Sequence, residues 1–422
     1  MIVLLAVLLL LGAPIGIAFS LAILLEADDW FINLDYVAQT TLDTLLNYPL
    51  LAIPLFILSG ELMNRGGLTR RLIRISRRIF GWSSAPLGHI MIGSSALMGA
   101  ITGSSVATVA AIGRAMGPDM LEAGYRPGYV GALNASAGLL GVLLPPSIPL
   151  ILYGSAVGVS ITQLFLATLV PGFVFIVVFM SVHALRSATV ITDGREAAAD
   201  HQSHTGISLA GAASSLPALL MPLLVLGGIY SGIFTPTEAA SVAAIYAFVY
   251  LLLGRVARFA DALTGFTQAA ASAAAIMFVI GFTAIFNQAL TLEQIPQQIA
   301  AYALSLTDST LLFLLLVNLT LLLVGMFMET SAATLLLGPL LAPAAAEYGI
   351  DPVHFGIIVV VNIEIGLLTP PLAANLYVAA LTNRLPLMPL LKEVLWFLAA
   401  GLICLLLTTY IPQLSLWYRY LT

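Results

Sequence analysis

The chain has 422 residues, of which 60% are hydrophobic and 8% are charged, and its formal net charge is −5. A soluble domain carries about 25% charged residues, so this composition excludes a water-soluble enzyme or binding module. Apolar runs of about 20 residues, the length that crosses hydrocarbon, recur along the whole sequence. The composition therefore indicates an all-α integral membrane protein with several spans.

Nine apolar segments are predicted to cross the membrane. In chain order they are 2–25, 48–64, 128–156, 160–186, 209–231, 237–254, 263–287, 353–381 and 389–412. The first is predicted to be a retained helix rather than a signal peptide, because it lacks a basic n-region and its apolar run is too long. The markedly hydrophilic stretch 187–208 is predicted to be a flexible cytoplasmic linker.

Two further apolar stretches, 86–118 and 309–343, are interrupted by Gly, Ser, Thr and Pro. Each is long enough for two short helices that meet at a polar tip, which predicts a re-entrant hairpin. Such backbone is tolerated at membrane depth only where it is buried in protein or lines a cavity. Residues 68–82 carry five arginines among apolar residues, which favours a helix along the cytoplasmic interface over a plain basic loop.

The basic residues sort to one side of this topology. With the N-terminus in the cytoplasm and both hairpins re-entering, all of the 15 Lys and Arg residues except Arg419 fall on the cytoplasmic side. This asymmetry is what the positive-inside rule describes. It predicts nine crossings, a cytoplasmic N-terminus and an external C-terminus.

The two halves of the chain resemble each other at a nearly constant offset. Three landmarks of the first half recur 225 residues later. Gly113 corresponds to Gly338, Gly141 to Gly366, and Pro145-Pro146 to Pro370-Pro371. An odd number of crossings separates equivalent points, so the halves have opposite topology, as in secondary transporters with a site at the repeat interface. The predicted units are a first inverted repeat 1–186, the linker 187–208, a connecting helix 209–231 and a second repeat 232–422.

Motifs of soluble catalysis are absent from the sequence. It contains no Walker A loop, HExxH, GxSxG or paired-cysteine metal site, and its five histidines are scattered. These motifs would supply ATP binding, a catalytic zinc or an acyl-transfer nucleophile. We therefore predict that the chain is not an enzyme and has no organic cofactor and no ATP-driven engine of its own.

Polar residues interrupt the apolar segments at two equivalent places, 103–108 and 329–334. Opposite each lies a Pro-Pro break, where proline leaves carbonyl groups of the preceding turn without intrahelical partners. Free carbonyls with Ser or Thr hydroxyls form a hard oxygen cage that suits a small cation such as Na⁺. Half-helix N-termini would attract an anion. Close helix packing by small residues is the alternative interpretation.

Four carboxylates lie within or at the ends of predicted spans, where ionisable groups are costly and usually functional. They are Glu61, Glu238, Glu329 and Glu364. A direct role for each remains open against an interfacial or paired one. Likewise Asn134 and Asn375 either line the cavity or bridge helices.

At these motifs the chain resembles the large membrane subunit of the tripartite ATP-independent periplasmic (TRAP) transporters. The matching stretches are IPLFILSGELMNRGGLTRRL (53–72), GSSVATVAAIG (103–113), GVLLPPSIPLILYG (141–154), YSGIFTPTEAASVAA (230–244), GMFMETSAATLLLGPLLAP (325–343) and GLLTPPLAANLYVAA (366–380). They follow the family's order and cover essentially the whole chain.

The resemblance implies an elevator-type fold of the ion-transporter superfamily, with Na⁺ as the coupling ion. It places the ligands of one Na⁺ at Ser104, Ser105, Asn134, Gly138, Gly141 and Pro145, and those of a second at Thr330, Ser331, Gly366, Thr369 and Pro371. It places the substrate near Thr108, Ser147, Thr334 and Asn375. Its implied partners are a small four-helix membrane subunit and an extracytoplasmic solute-binding protein.

By this resemblance the chain is expected to import a small organic acid anion across a bacterial or archaeal cytoplasmic membrane. Dicarboxylates, sialic acid, keto acids and sugar acids are all compatible with the sequence. The main alternative is a stand-alone Na⁺-coupled dicarboxylate symporter of similar architecture, which would not require the binding protein. A channel would differ from both by unsaturable flux without ion coupling.

Overall fold

The computed structural model of the protein describes residues 4, 5, 7, 8, 11, 13, 15–25, 34–83, 85–191, 216–253 and 259–420. Within them the regular structure is helical, and the bridge between Tyr125 and Ile191 is isolated. The helices are α1 (Ile15–Leu25), α2 (Leu34–Leu45), α3 (Ala52–Arg65), α4 (Leu68–Phe80), α5 (Pro86–Thr102), α6 (Ser105–Glu122), α7 (Pro127–Gly138), α8 (Leu140–Leu143), α9 (Ile148–Val157), α10 (Ile161–Ala167), α11 (Leu169–Val190), α12 (Leu216–Tyr230), α13 (Pro236–Leu253), α14 (Phe259–Leu292), α15 (Ile295–Leu306), α16 (Thr310–Gly325), α17 (Thr330–Glu347), α18 (Pro352–Gly366), α19 (Ala374–Asn383), α20 (Leu387–Tyr410) and α21 (Pro412–Leu416).

Both predicted hairpins are confirmed as pairs of helices joined by a short break. In the first hairpin, α5 ends and α6 begins around Gly103, whose φ of +60° places it in the left-handed region that glycine tolerates. In the second hairpin, α16 and α17 are separated by residues 326–329. The helices opposite are also broken, α8 from α9 at Pro145-Pro146 and α18 from α19 at Pro370-Pro371, and both Pro-Pro bonds are cis.

The helices of the second half follow those of the first at nearly the predicted offset. The pairs are α4 and α15, α5 and α16, α6 and α17, α7 and α18, and α9 and α19. Packing is exchanged between halves, because α9 packs on α17 of the second hairpin while α19 packs on α6 of the first. Each half therefore packs its broken helix against the hairpin of the other half.

Three described helices are individually long and apolar enough to span a membrane, namely 161–190, 259–292 and 387–410. Two bent pairs also qualify as broken spans. The pair 127–143 and 148–157 bends by 42°, and the pair 35–45 and 48–65 bends by 65°. The sequence predicted the second of these pairs only as a straight span over 48–64, so helix α2 was missed.

The helices divide into two packed groups. In one group, α1, α2, α3 and α13 pack against the 34-residue α14. Helix α12 joins this group by packing against α13. The other group contains the hairpins and broken helices, with α11 and α20 packed against α5 and α7 respectively. Helices α4 and α15 lie against the hairpin helices α5 and α17. The groups meet where α3 contacts α5 and where α14 contacts α17.

The basic segment is helical from Leu68 to Phe80 (α4), within the predicted 68–82. Leu68 and Leu72 are fully buried, and the helix packs against hairpin helix α5. The Arg71 guanidinium lies 5.0 Å from the ring centroid of Tyr250. Its position along the cytoplasmic interface stays a prediction.

The predicted linker begins later than expected, since α11 continues to Val190 past the predicted boundary at 187. The remainder of the linker, 192–208, lies outside the described residues. So does part of the predicted first span, of which Ile15–Leu25 forms α1.

A buried aromatic cluster fixes the base of the first hairpin. His183 Nε2 donates a hydrogen bond to the Ala85 carbonyl oxygen at 3.0 Å, and its Nδ1 lies 2.8 Å from the Tyr129 hydroxyl. The ring of His89 meets it edge-on at 4.8 Å between centroids. Gly88 leaves room for His183, because a β-carbon at Gly88 would lie 2.6 Å from His183 Nδ1.

Replacing Gly88 with alanine is therefore expected to destabilise the protein by about 1–3 kcal/mol, the usual cost of overpacking a core. Hydrogen bonds at both ring nitrogens hold the His183 side chain in place, so it cannot easily move away from the added methyl group. Thermal unfolding of the purified protein in detergent measures the effect. Gly227→Ala is the matched control, since nothing lies within 4 Å of its β-carbon position; equal melting temperatures for the two variants would contradict the prediction.

Candidate functional site

The tip of the first hairpin lies directly against the first broken helix. A β-carbon at Gly141 would lie 2.5 Å from the Ser104 carbonyl oxygen and 2.6 Å from Thr108 Oγ1. A β-carbon at Gly138 would lie 3.3 Å from the Ser105 carbonyl oxygen. The two glycines thus permit a close approach that any side chain would prevent, and they bring the predicted first-site residues together.

Hydroxyl and carbonyl oxygens of the hairpin lie close together at this tip, and Asn134 of the broken helix lies further along α6. Thr108 Oγ1 donates to the Ser104 carbonyl oxygen at 2.9 Å, and Thr102 Oγ1 lies 3.1 Å from Thr108 Oγ1. Asn134 Nδ2 donates to the Val109 carbonyl oxygen at 3.0 Å, while its Oδ1 is buried and has no hydrogen-bond partner. Pro145 is buried beside the break. The donor set of hydroxyl, amide and carbonyl oxygens is one that a hard cation prefers.

The tip of the second hairpin is organised by carboxylates. Glu329 caps α17, because it accepts hydrogen bonds from the Ser331 amide at 2.9 Å, the Ala332 amide at 3.3 Å and the Ser331 hydroxyl at 3.0 Å. The next residue, Thr330, donates its hydroxyl to Glu364 Oε1 at 2.7 Å. The sequence left the roles of both glutamates open, and the structure places them at the same tip.

The second break, residues 367–373, is longer than the first, residues 144–147. Gly366 packs against the hairpin backbone, where a β-carbon would lie 2.5 Å from the Gly325 carbonyl carbon. Thr369 is half-exposed and its hydroxyl donates to the Ile365 carbonyl oxygen at 3.2 Å, while Pro371 is exposed. The structure therefore brings Thr330 and Gly366 of the predicted second site to the hairpin, whereas the hydroxyl of Thr369 is already committed to its own helix.

Three of the four predicted substrate residues carry buried polar atoms without hydrogen-bond partners. These atoms are Ser147 Oγ, Thr334 Oγ1 and both amide atoms of Asn375, on residues that are 0% exposed. Their helices cross between the repeats, because α9 begins after Ser147 and packs on α17, and α19 carries Asn375 and packs on α6. Unpartnered buried polar groups are costly and usually indicate a missing ion, water or ligand.

A cavity of about 280 Å³ opens beside the first tip, between the hairpin and the helices α3 and α14. Its polar lining residues include Ser104 and Thr102 from the hairpin, Glu61 and Asn64 from α3, and Ser272 from α14. Glu61 pairs with Arg65, with 2.8 Å between Oε1 and Nε. Glu61 is one of the four carboxylates predicted within or near spans, whereas Asn64 and Ser272 look like ordinary polar positions in a span and carry no sequence signal.

A second cavity, of about 300 Å³, lies beside α17, the second helix of the second hairpin. It is lined by Asn47 before α3, Ser155 of α9, Asn287 and Gln288 of α14, and Leu335 of α17. Asn287 Nδ2 donates to the Leu335 carbonyl oxygen at 2.7 Å, which joins the two helix groups across its wall. The predicted substrate residues line neither of these two cavities, and lie instead where the hairpins pack on the broken helices.

The fourth membrane-depth carboxylate, Glu238, has a local structural role. Its Oε2 accepts hydrogen bonds from the Thr235 amide at 2.8 Å and the Thr235 hydroxyl at 2.9 Å, just before α13 begins. This is the reciprocal pattern of a helix capping box. Glu238 therefore satisfies backbone donors at the start of α13.

The N-termini of α6 and α17 lie at the two tips, and α9 begins beside the first tip, where the Ile148 amide donates to the Gly103 carbonyl oxygen at 3.3 Å. Their amide dipoles favour an anion, while the carbonyl and hydroxyl oxygens beside them favour a cation. The described residues contain no group of three or more His, Cys, Asp or Glu side chains that could hold a transition metal. The arrangement suits coupled binding of a small cation and an anion.

Comparison with known proteins supports a transporter. The family model described as "Tripartite ATP-independent periplasmic transporter, DctM component" matches residues 2–414. The C4-dicarboxylate TRAP transporter large permease protein DctM of Pseudomonas aeruginosa is 40% identical over 95% of this chain and 92% of its own. The sialic acid TRAP transporter large permease protein SiaM of Vibrio cholerae is 36% identical over 97% of this chain and 95% of its own.

A solved structure shares the fold. The YdaH transporter of Alcanivorax borkumensis matches with a TM-score of 0.65 at 18% identity, over 92% of this chain and 90% of that one. The relatives are membrane permeases rather than enzymes, in agreement with the multi-pass helical fold and with the prediction that the chain is not an enzyme. The chain therefore belongs to the DctM family, the large permease components of the tripartite ATP-independent periplasmic transporters.

Proposed function

We propose that the chain imports a small organic acid anion in symport with Na⁺, as the transport subunit of a three-component system. The observation that carries this proposal is that Ser147, Thr334 and Asn375 have buried polar atoms without hydrogen-bond partners, on helices that pack hairpins against broken helices. Burying a polar group without a partner is costly, and a bound ion or anion would satisfy these atoms. Family membership supplies the substrate class, which includes the C4-dicarboxylates and sialic acid named for relatives.

The residues at the first tip fit Na⁺ well. Ser104, Ser105 and Thr108 offer hydroxyl and carbonyl oxygens, and Gly138 and Gly141 bring the backbone of the broken helix against them. Asn134 offers an amide oxygen further along α6, beside Val109. Bound Na⁺ supplies the positive charge that balances an incoming anion. In this proposal the hairpin residues hold the tip in the closed arrangement, and the N-termini of α9 and α19 orient the anion's carboxylate.

The division into two helix groups supports an elevator mechanism. The hairpins and broken helices would move as one unit against α1, α2, α3, α13 and α14, which remain fixed in the bilayer. Cavities at both contact regions between the groups favour such movement. A small four-helix membrane subunit would widen the fixed group, and an extracytoplasmic solute-binding protein would deliver the anion. The protein would lie in a bacterial or archaeal cytoplasmic membrane with its N-terminus inside.

Uptake of radiolabelled organic acids into proteoliposomes tests this proposal. The vesicles contain the chain with its small subunit, in Na⁺ buffer, and the panel includes a C4-dicarboxylate, sialic acid, a keto acid and a sugar acid. Saturable uptake of one class that requires the cognate binding protein is expected. Uptake that is equally fast without any binding protein would contradict the three-component proposal and favour a stand-alone symporter.

A further inference from the structure

The carbonyl group of Leu335 lacks a donor in its own helix because of a proline. In α17 this carbonyl would accept a hydrogen bond from the amide four residues later, but residue 339 is proline and has no amide hydrogen. Leu335 is largely buried, with 6% of its surface exposed. A buried carbonyl without a partner costs free energy, so this group needs a donor from another part of the protein.

Asn287 of α14 supplies that donor. Its Nδ2 donates to the Leu335 carbonyl oxygen at 2.7 Å, a short hydrogen bond. Helix α14 belongs to the group that is proposed to remain fixed in the bilayer, whereas α17 is the second helix of the second hairpin and is proposed to move. The hydrogen bond therefore joins two units that must slide past each other during transport.

The interface around this hydrogen bond is not closely packed. The cavity of about 300 Å³ lies between α14 and α17 here, and its lining includes Ile280 and Ala284 of α14 and Pro339 of α17. Space between two helices removes some of the dispersion contacts that would otherwise hold them together. The Asn287 hydrogen bond therefore contributes more to the attachment of α17 than it would in a filled interface.

The first hairpin is built differently at the equivalent place. At the offset of 225 residues, Leu335 corresponds to Ala110 of α6 and Pro339 corresponds to Arg114. Helix α6 thus keeps an amide hydrogen where α17 has proline, and Arg114 Nε also donates to the Ala110 carbonyl oxygen at 3.0 Å. The Ala110 carbonyl is satisfied within its own helix, whereas the Leu335 carbonyl takes its donor from α14.

We propose that Asn287 is a positioning residue that latches the second hairpin to α14 and sets the balance between two arrangements of the hairpin unit. This inference rests on the proposed function, because it presupposes that the hairpins move against α14. When the unit moves away, the Leu335 carbonyl loses its donor, so the latch favours the arrangement seen in this structure. Pro339 strengthens the latch, because no amide of α17 replaces Asn287.

Distances between spin labels on the two units test the proposal in proteoliposomes that contain the chain with its small subunit. Cys404 is replaced by alanine, and labels are attached at Asp43→Cys on α2 and Glu347→Cys at the end of α17, two exposed positions. Double electron–electron resonance gives the ratio of molecules at the distance of this structure to those at a second distance. The ratio is compared for wild type, Asn287→Ala and Asn287→Leu, of which the leucine variant keeps the side-chain volume.

In both Asn287 variants the ratio should fall about threefold to tenfold, the range for loss of one net hydrogen bond. Gln288→Ala is the matched control on α14. Gln288 lines the same cavity but, within the described part of the chain, makes no hydrogen bond to the hairpin. This control should keep the wild-type ratio, and the melting temperature reports the folding of each variant.

Restoring the amide hydrogen in α17 separates the latch from a general packing effect. In a Pro339→Ala protein the Leu335 carbonyl has a donor in either arrangement, so Asn287→Ala should change the ratio by less than about twofold. Pro343→Ala is the matched background, because this proline also lies inside α17 but leaves a different carbonyl without a donor. In that background Asn287→Ala should keep its full effect.

The latch and the proposed movement fail in different ways. A single distance in wild type and in every variant contradicts movement of the hairpins, and both proposals then fall. Two distances whose ratio is the same in wild type and in Asn287→Leu overturn the latch alone. An Asn287→Ala effect of full size in the Pro339→Ala background also overturns the latch, because the effect would then not depend on the Leu335 carbonyl.

Discussion

Replacing Gly366 with alanine is expected to abolish transport and to lower stability. A β-carbon at Gly366 would lie 2.5 Å from the Gly325 carbonyl carbon and 2.6 Å from its Cα. Both atoms are backbone, so no side-chain rotation relieves the overlap, and the second hairpin must separate from α18. We expect a cost at the upper end of the roughly 1–3 kcal/mol range for overpacking.

Thermal unfolding and uptake assays on the same preparations measure this effect. Gly401→Ala is the matched control, because Gly401 is a buried helix glycine whose β-carbon would meet its nearest atom, Ile365 Cγ1, at an ordinary 3.6 Å. The control should retain activity and stability. A Gly366→Ala protein with wild-type melting temperature and uptake would show that the hairpin does not depend on this close approach.

Replacing Asn375 with leucine is expected to stabilise the protein while removing its activity. Both amide atoms of Asn375 are buried without partners, and each such group costs about 1–3 kcal/mol. Leucine has a similar shape and no polar atoms, so the melting temperature should rise. Transport should fall to background, because the proposed substrate contact is lost.

Asn362→Leu is the matched control for this prediction, since the same substitution removes an amide that is hydrogen-bonded. Asn362 Nδ2 donates to Asn318 Oδ1 at 2.7 Å and to the Asn318 carbonyl oxygen at 3.0 Å. This variant should be destabilised. If Asn375→Leu is destabilised to the same degree, the Asn375 amide is a structural group rather than a binding group.

Glycine and proline residues within the apolar segments made the hairpins and broken helices of the fold predictable. Gly103 and the two Pro-Pro pairs mark the hairpin tip and the helix interruptions, because glycine permits a left-handed turn and proline ends a helix. Helices α2 and α15 were missed because each has only 12 residues and includes polar side chains, such as Asp35 and Asp43 in α2. A search for apolar runs of about 20 residues passes over helices of this kind.

The candidate site was predictable in residue type more than in geometry. Ser104, Ser105, Gly138 and Gly141 lie together because small residues and the proline break allow one close contact. The second break spans more residues before α19 begins, and spacing alone did not indicate that the hydroxyl of Thr369 bonds within its own turn.

Tertiary packing creates the contacts of the candidate site that the sequence could not predict. The sequence left the role of Glu364 open, and only the meeting of both hairpins at α18 relates it to Thr330 and Ser105. Similarly, Asn64 and Ser272 line a cavity because α3 and α14 face the first hairpin. These contacts join segments far apart in the chain, and a single sequence contains no local signal for them.

The most direct test of Na⁺-coupled import is accumulation of the identified substrate against its own gradient in proteoliposomes. The vesicles contain the chain and its small subunit, with binding protein outside and an inward Na⁺ gradient that an ionophore collapses in a parallel sample. We predict that internal substrate rises above the external concentration only while the gradient persists. Equal internal and external concentrations in both samples would contradict Na⁺-driven transport and indicate a passive pathway.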